Sequence, residues 1–198
     1  MRSRRRPEGK LIALEGTRGR DVADGAERLW RRLHRKAGAD SRISRWNASR
    51  LFDEMPVWKR NTAMPSPRTV ILLYASDLLF RLRWEIRPAL RAGRSVIAAP
   101  YVETAMAFGA AAGLPPEWIS SVLRFAPAPQ VCCRIKERKK WTGWKDGALD
   151  GFMEFCSTAL GGSPDWNPVT ARQRAIEYLD KLEERGTCER LRRETGLR

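Results

Sequence analysis

The sequence has a single histidine, His34, and only four cysteines, Cys132, Cys133, Cys156 and Cys188, none spaced as C-x-x-C. So small a stock of ligands predicts no zinc site. Cys132 and Cys133 read as small core hydrophobes rather than parts of a disulfide framework, and reduced thiols in the cytoplasm are expected. No stretch of about 18 apolar residues exists, and the Arg-rich start has no apolar segment behind it. Neither a membrane span nor a secretory leader is expected. Acidic residues are scarce as well: 23 Asp and Glu against 38 Lys and Arg give a formal charge of +15. That surplus suits anionic partners, whether nucleotides, nucleic acid or acidic proteins, and equally the plainer reading of arginines spread across solvated faces.

What is present is an alternation of strand and helix patterns. At 198 residues and 42% hydrophobic content, one core is expected, with residues 1–9 a loose basic arm and residues 10–198 a single domain. Apolar runs at 10–15, 41–46, 95–99 and 130–135 predict strands. Helices are predicted over 22–36, over a short segment capped by Asn47, over 67–91 with Ser66 as cap and a kink at Pro88, and over about 102–112. Another opens at Pro115 or Pro116, and two or three follow the fourth strand, one of them capped by Asn167. In the long helix, Ile71, Leu72, Ala75, Leu78, Leu79, Leu82 and Ile86 are expected to face the core. The class is α/β: three layers around a parallel sheet of four strands, or five if the helical C-terminal segment supplies another.

The stretch "LIALEGTRGRDVADGAERLW" (11–30) has the frame of a phosphate-binding loop: a strand, a Gly-spaced turn, then an amphipathic helix. Gly16 and Gly19 read as turn glycines needing positive φ, or as a residual anion nest beside Arg18 and Arg20. Where such a loop presents Gly-Lys-Ser/Thr, however, stand Asp21, Val22 and Ala23. A carboxylate repels a triphosphate, valine brings no charge, and alanine has no hydroxyl for Mg²⁺.

Taken with "LLYASDLLFRLRWEIRPALRAGRSVIAAPYVETAMAFG" and "GLPPEWISSVLRFAP", this stretch resembles the thymidylate kinase family of P-loop nucleoside monophosphate kinases over residues 8–135. The resemblance implies the fold, and it places further altered positions. The family's Asp-Arg-Tyr falls on Ala99-Pro100-Tyr101, its helix Arg on Leu78 with Asp77 kept, and its Tyr-Gln on Phe108-Gly109. Arg45 matches the Arg of the family's Arg-Glu-Pro turn. The basic segment Lys136, Arg138, Lys139 and Lys140, with Trp141 and Trp144, sits near the family's lid and suits phosphate and base contacts, or else forms a solvated loop.

The candidate nucleotide- or anion-binding residues are therefore Gly16, Arg18, Gly19, Arg20, Arg45, Asp77, Tyr101 and Phe108. Tyr101 and Phe108 suit the core or a pocket lining better than ligand contact, and Trp46 and Trp58 are candidate contact residues. Six or more losses across the ATP, metal, acceptor and base contacts lead to the expectation of a degenerate member. It would have no thymidylate kinase activity and no cofactor, ATP and Mg²⁺ included, and would act by binding a protein or a nucleotide. The alternatives are a divergent kinase, with Arg18, Arg20 and the 136–145 cations replacing the lost charges, and a nucleic-acid binder using its arginines and tryptophans. The resemblance also implies dimerisation, as a homodimer or with a related kinase. Leu73, Phe80 and Trp84 form the expected interface, opposite the Leu72–Leu79 edge, unless helices in 145–196 cover them.

Overall fold

The computed structural model describes residues 9–37, 40–53, 65–136, 151–161 and 166–190. The all-buried strand β1 (Leu11–Glu15) lies at the centre of a five-stranded sheet. It pairs with β3 (Ser95–Ala99) on one side and β4 (Val131–Arg134) on the other. Strand β2 (Ser41–Arg45) adds outside β3 and the two-residue β5 (Glu189–Arg190) outside β4, and every pair is parallel.

Alternate strand residues leave opposite faces, and the register keeps the two sets in line: Leu11 opposite Val96, Ile12 opposite Ile97, Ala13 opposite Ala98. Leu11, Ala13, Val96 and Ala98 enter one core, and Ile12, Leu14, Ile97 and Ala99 the other. Helix α1 (Gly19–Ala37) closes the second core with Val22, Ala26 and Leu29. The first is closed by α2 (Pro67–Arg81), α3 (Arg87–Arg91), α4 (Val102–Ala111), α5 (Pro116–Leu123), α6 (Phe152–Leu160) and α7 (Pro168–Glu184).

Ser66 caps α2 by accepting from the Thr69 N–H at 3.1 Å, with Pro67 in the first turn. Between α2 and α3 the chain winds as a π-helix over Leu82–Ile86, where the Arg87 N–H donates to the Leu82 carbonyl. Pro88 has no N–H to return to the preceding turn. The wider winding just ahead of it absorbs that loss, so the irregularity precedes the proline.

Several expectations need correction. Leu72 and Leu79 are exposed, at 51% and 48%, on the same strip as Phe80 and Trp84 rather than in the core. The inward strip instead carries Asp77 and Arg81, both fully buried. Arg81 donates through Nε to Ser44 Oγ at 3.0 Å and through Nη2 to the Ser44 and Pro100 carbonyls at 2.9 Å each, tying the ends of β2 and β3 together. Asp77 accepts from the Asn47 and Ser49 N–H groups at 3.0 Å. No helix starts at Asn47, because the chain turns there with Asn47 and Arg50 both at positive φ. Asn47 sits at φ 62° in a tight turn, its side-chain oxygen accepting from Phe52 N–H. Helix α1 begins three residues earlier than predicted, at Gly19, whereas β5 is the fifth strand that the sequence left open to the C-terminal segment.

Cys132 and Cys188 form a disulfide from β4 to the residue before β5, with Cα atoms 4.6 Å apart, which overturns the expectation of reduced thiols. Cys188 lies too far along the chain for spacing to reveal the pair; adjacent parallel strands bring it opposite Cys132. Cys133 and Cys156 are buried and take no part in a disulfide. Among the described residues no helix is long and apolar enough to cross a membrane.

Candidate functional site

Beyond the carboxyl ends of β1, β2 and β3, where parallel sheets place ligands, lies a cavity of about 210 Å³. The turn after β1 contributes Gly16, the start of α1 contributes Gly19, Val22 and Ala23, and the end of β2 and the turn after it contribute Arg45, Trp46 and Asn47. Ala99, Pro100 and Thr104 come from the end of β3 and the start of α4, and Gly151 and Phe152 close the cavity from the start of α6.

Two carboxylates organise this region. Glu15, the last residue of β1, is fully buried and turns into the start of α4. Its Oε2 accepts from the N–H groups of Tyr101 (3.1 Å) and Thr104 (2.9 Å) and from Thr104 Oγ1 (2.7 Å), and its Oε1 accepts from Glu103 N–H at 3.1 Å. Four donors converge because a helix start leaves its N–H groups without intrahelical acceptors. Burial nevertheless pushes the carboxyl from the ordinary 4.5 up to about 7; the Thr104 and backbone hydrogen bonds oppose that rise and the nearby Glu103 charge adds to it. Glu103 is itself raised by burial, against a hydrogen bond donated by Tyr178 at 3.1 Å.

The second carboxylate comes from the C-terminal part of the chain. Gly19 N–H, in the first turn of α1, donates to Glu154 Oε1 at 2.8 Å. Gly151 lets this happen: a Cβ there would stand 2.3 Å from Gly19 Cα, so the backbones of α6 and α1 meet directly. Phe152 anchors α6, its ring 4.5 Å from Tyr74 and 5.3 Å from Phe108 between centroids. A helix N-terminus with free N–H groups is the natural seat of a phosphate, and here a protein carboxylate sits on it. Val22 N–H is committed to the helix, donating to the Arg18 carbonyl at 3.0 Å, and Gly16 N–H donates to Thr104 Oγ1 at 3.2 Å. Neither Gly16 nor Gly19 adopts positive φ. Gly16 is small because a Cβ would meet Val22 Cγ2 at 2.8 Å.

The sequence-derived candidates divide accordingly. Gly16, Gly19 and Arg45 line the cavity, with Arg45 ion-paired to Glu27. Arg18 flanks the turn 3.8 Å from Asp21, and its charge, after burial, helps push the Arg172 guanidinium below its ordinary value. Arg20 is exposed on α1. Asp77 holds the turn after β2. Tyr101 donates to the Pro127 carbonyl at 2.9 Å, and Phe108 packs on Phe152 and Trp166. Lys136 pairs with Asp180 and Glu183 at 3.4 and 3.3 Å, while Arg138, Lys139, Lys140, Trp141, Trp144 and Trp58 lie outside the described residues. Leu73 is half-buried; Phe80 and Trp84 are exposed.

Sequence reasoning missed Glu15 and Glu154. A carboxylate ending an otherwise apolar strand was a visible signal for Glu15. Glu154, 135 residues from its partner, had none. Nor do the residues fit a triphosphate and its metal. Val22 is 2% exposed in the core. No hydroxyl stands at 23, and among the described residues no cluster of three or more carboxylates, thiols or imidazoles could hold an ion.

Strand order and the position of the cavity define a P-loop kinase-like α/β protein. No family model matches the chain. It is 35% identical over 100 residues to a probable thymidylate kinase of Pyrobaculum calidifontis, spanning 45% of this chain and 52% of that one. The probable thymidylate kinase of Pyrobaculum aerophilum is 28% identical over 121 residues, 61% of each chain. Probable thymidylate kinase 2 of Saccharolobus solfataricus is 29% identical over 130 residues, 65% of this chain and 59% of that one. The chain thus spans about half to three-fifths of these relatives. A solved thymidylate kinase from Ehrlichia chaffeensis shares the fold over 93% of both chains, with a TM-score of 0.68 at 12% identity. The chain is thymidylate kinase-like.

Proposed function

We propose that this thymidylate kinase-like protein works by binding and does not phosphorylate dTMP. The observation that carries the reading is the Glu154 carboxylate on Gly19 N–H, sealed by the Gly151–Gly19 backbone contact. A phosphate seated there would have to expel a negative charge and part α6 from α1. Phosphoryl transfer depends on placed cations and a metal, and Asp21, Val22, Ala23 and Pro100 supply neither. A partner protein is the principal ligand, with a small anion in the cavity beside Arg45 as the second. The reading includes a cytoplasmic location.

The test is transfer of labelled γ-phosphate from ATP to dTMP with Mg²⁺ at millimolar substrate. No product above a no-enzyme control is expected. Turnover that disappears in Arg18→Ala or Arg20→Ala would instead establish the divergent kinase.

A further inference from the structure

Helix α1 changes character halfway along. Its first half holds Asp21, Asp24 and Glu27; Asp21 lies 3.8 Å from Arg18, and Glu27 pairs with Arg45. From Arg28 to its end at Ala37 the helix has five Lys and Arg and no carboxylate. Arg28, Arg31, Arg32 and Arg35 fall three and four apart, so they share one face, turned away from the core that Val22, Ala26 and Leu29 enter. Arg28, Arg31 and Arg35 are exposed and Arg32 is half-buried. Arg28 and Arg32 make other contacts within the chain, whereas Arg31 and Arg35 have no carboxylate partner among the described residues. Trp30 Nε1 donates to the Ser41 carbonyl at 3.0 Å, which sets this half of the helix beside the start of edge strand β2, where Arg42 is exposed too. None of the exposed large apolar side chains among the described residues lies on α1 or β2.

Folding alone does not account for this row. Cations in the last turn meet the helix dipole, but Arg28 and Arg31 stand outside that turn. Arg28 with Arg32, and Arg31 with Arg35, are like charges one turn apart and repel each other. We infer that the outer face of α1 from Arg28 to Arg35 binds the phosphodiester backbone of a nucleic acid. Guanidiniums take phosphate oxygens in pairs, and a row of them about 10 Å long suits a polymer that repeats its charge every few ångströms. A folded acidic protein would be held by apolar anchors, and the face offers none. A membrane would call for the apolar side of the helix, and that side is in the core. Backbone contacts of this kind carry no sequence information. The inference goes beyond the binding role proposed above and uses no residue of the cavity, so either can fail alone.

The test is fluorescence anisotropy of labelled DNA and RNA duplexes of mixed sequence, titrated with the full chain between about 50 and 200 mM salt. With three or four phosphates neutralised, log K for the DNA duplex should fall against log salt with a slope of about −2.7 to −3.6. Both duplexes should bind, the tighter one naming the polymer. Arg31→Ala with Arg35→Ala should flatten the slope by about 1.8; both side chains are exposed, so the fold survives. Arg124→Ala with Arg174→Ala removes the same charge from exposed positions on the other side of the sheet and should leave the slope unchanged. Binding of both duplexes weaker than about 100 μM at the lowest salt overturns the inference. An equal loss in the second pair of substitutions also overturns it, because net charge alone would then explain the binding. So does co-sedimentation with phosphatidylserine vesicles, or capture by poly-glutamate, that Arg31→Ala with Arg35→Ala abolishes while duplex binding persists. Those results would assign the face to a membrane or to an acidic protein.

Discussion

Replacing Glu15 by Gln tests how the structure balances burial against hydrogen bonding. In the wild type the buried carboxyl is held at about 7 instead of 4.5, which at 1.36 kcal/mol per pH unit removes roughly 3 kcal/mol of native stability once the group is ionised. The sign follows from the raised value. The native state binds the proton more tightly than the unfolded chain, so the stabilisation is complete below about pH 4.5 and is lost as pH rises through about 7. An amide cannot titrate. It can keep one oxygen on Tyr101 and Thr104, but its NH₂ then faces the Glu103 N–H, leaving a buried donor unmet at a cost of about 1–3 kcal/mol. The protonated wild-type carboxyl presents an O–H to the same donors, so Glu15→Gln should match the wild type to within about 1 kcal/mol at pH 5 and be the more stable protein at pH 8. The difference should swing by roughly 3 kcal/mol. Glu103 titrates in both proteins and largely cancels. Urea unfolding followed by circular dichroism between pH 5 and 8 measures this. A difference constant to within about 0.5 kcal/mol would mean that the four donors hold Glu15 ionised throughout, and would refute the reasoning.

Three further outcomes follow from the same contacts. Asp77→Asn should cost about 1–3 kcal/mol in urea unfolding, because the Asn47 and Ser49 N–H groups lose a charged acceptor. Val22→Lys, which would replace the missing P-loop cation, should instead destabilise by roughly 3 kcal/mol and add no ATP affinity by calorimetry, since the side chain points into the α1 core. Reducing the Cys132–Cys188 disulfide, or Cys188→Ala, should lower stability by roughly 2–4 kcal/mol for a loop of this length, read as a lower urea midpoint under dithiothreitol.

The sheet was legible because its central strands are buried on both faces and read as continuous apolar runs, so 95–99 matched in full and the others to within a residue. Caps spelled out by Ser66-Pro67 and Asn167-Pro168 were legible for the same local reason. What failed depended on distance. The inward placement of Asp77 and Arg81 makes sense only once the turn after β2 lies against α2. A strip read from hydrophobicity alone therefore drew Leu72 and Leu79 inward in their place. The cavity's glycines were visible in the turn pattern and Arg45 through the family resemblance, but its wall at Gly151 and Phe152 arrives with α6, and no local periodicity announces that α6 carries a carboxylate meant for Gly19. β5 is too short for any pattern, and its position beside β4 is what brings Cys188 to Cys132.

The central claim is that Glu154 holds the place of a phosphate, and the Gly19 amide reports on it directly. In ¹H–¹⁵N spectra of the wild type, millimolar ATP with Mg²⁺ should leave the Gly19 resonance unmoved, while Glu154→Gln should shift it upfield as the charged acceptor is lost. A Gly19 resonance that moves on ATP addition to the wild type, saturating with nucleotide, would contradict the account, because it would place a phosphate where the structure places Glu154.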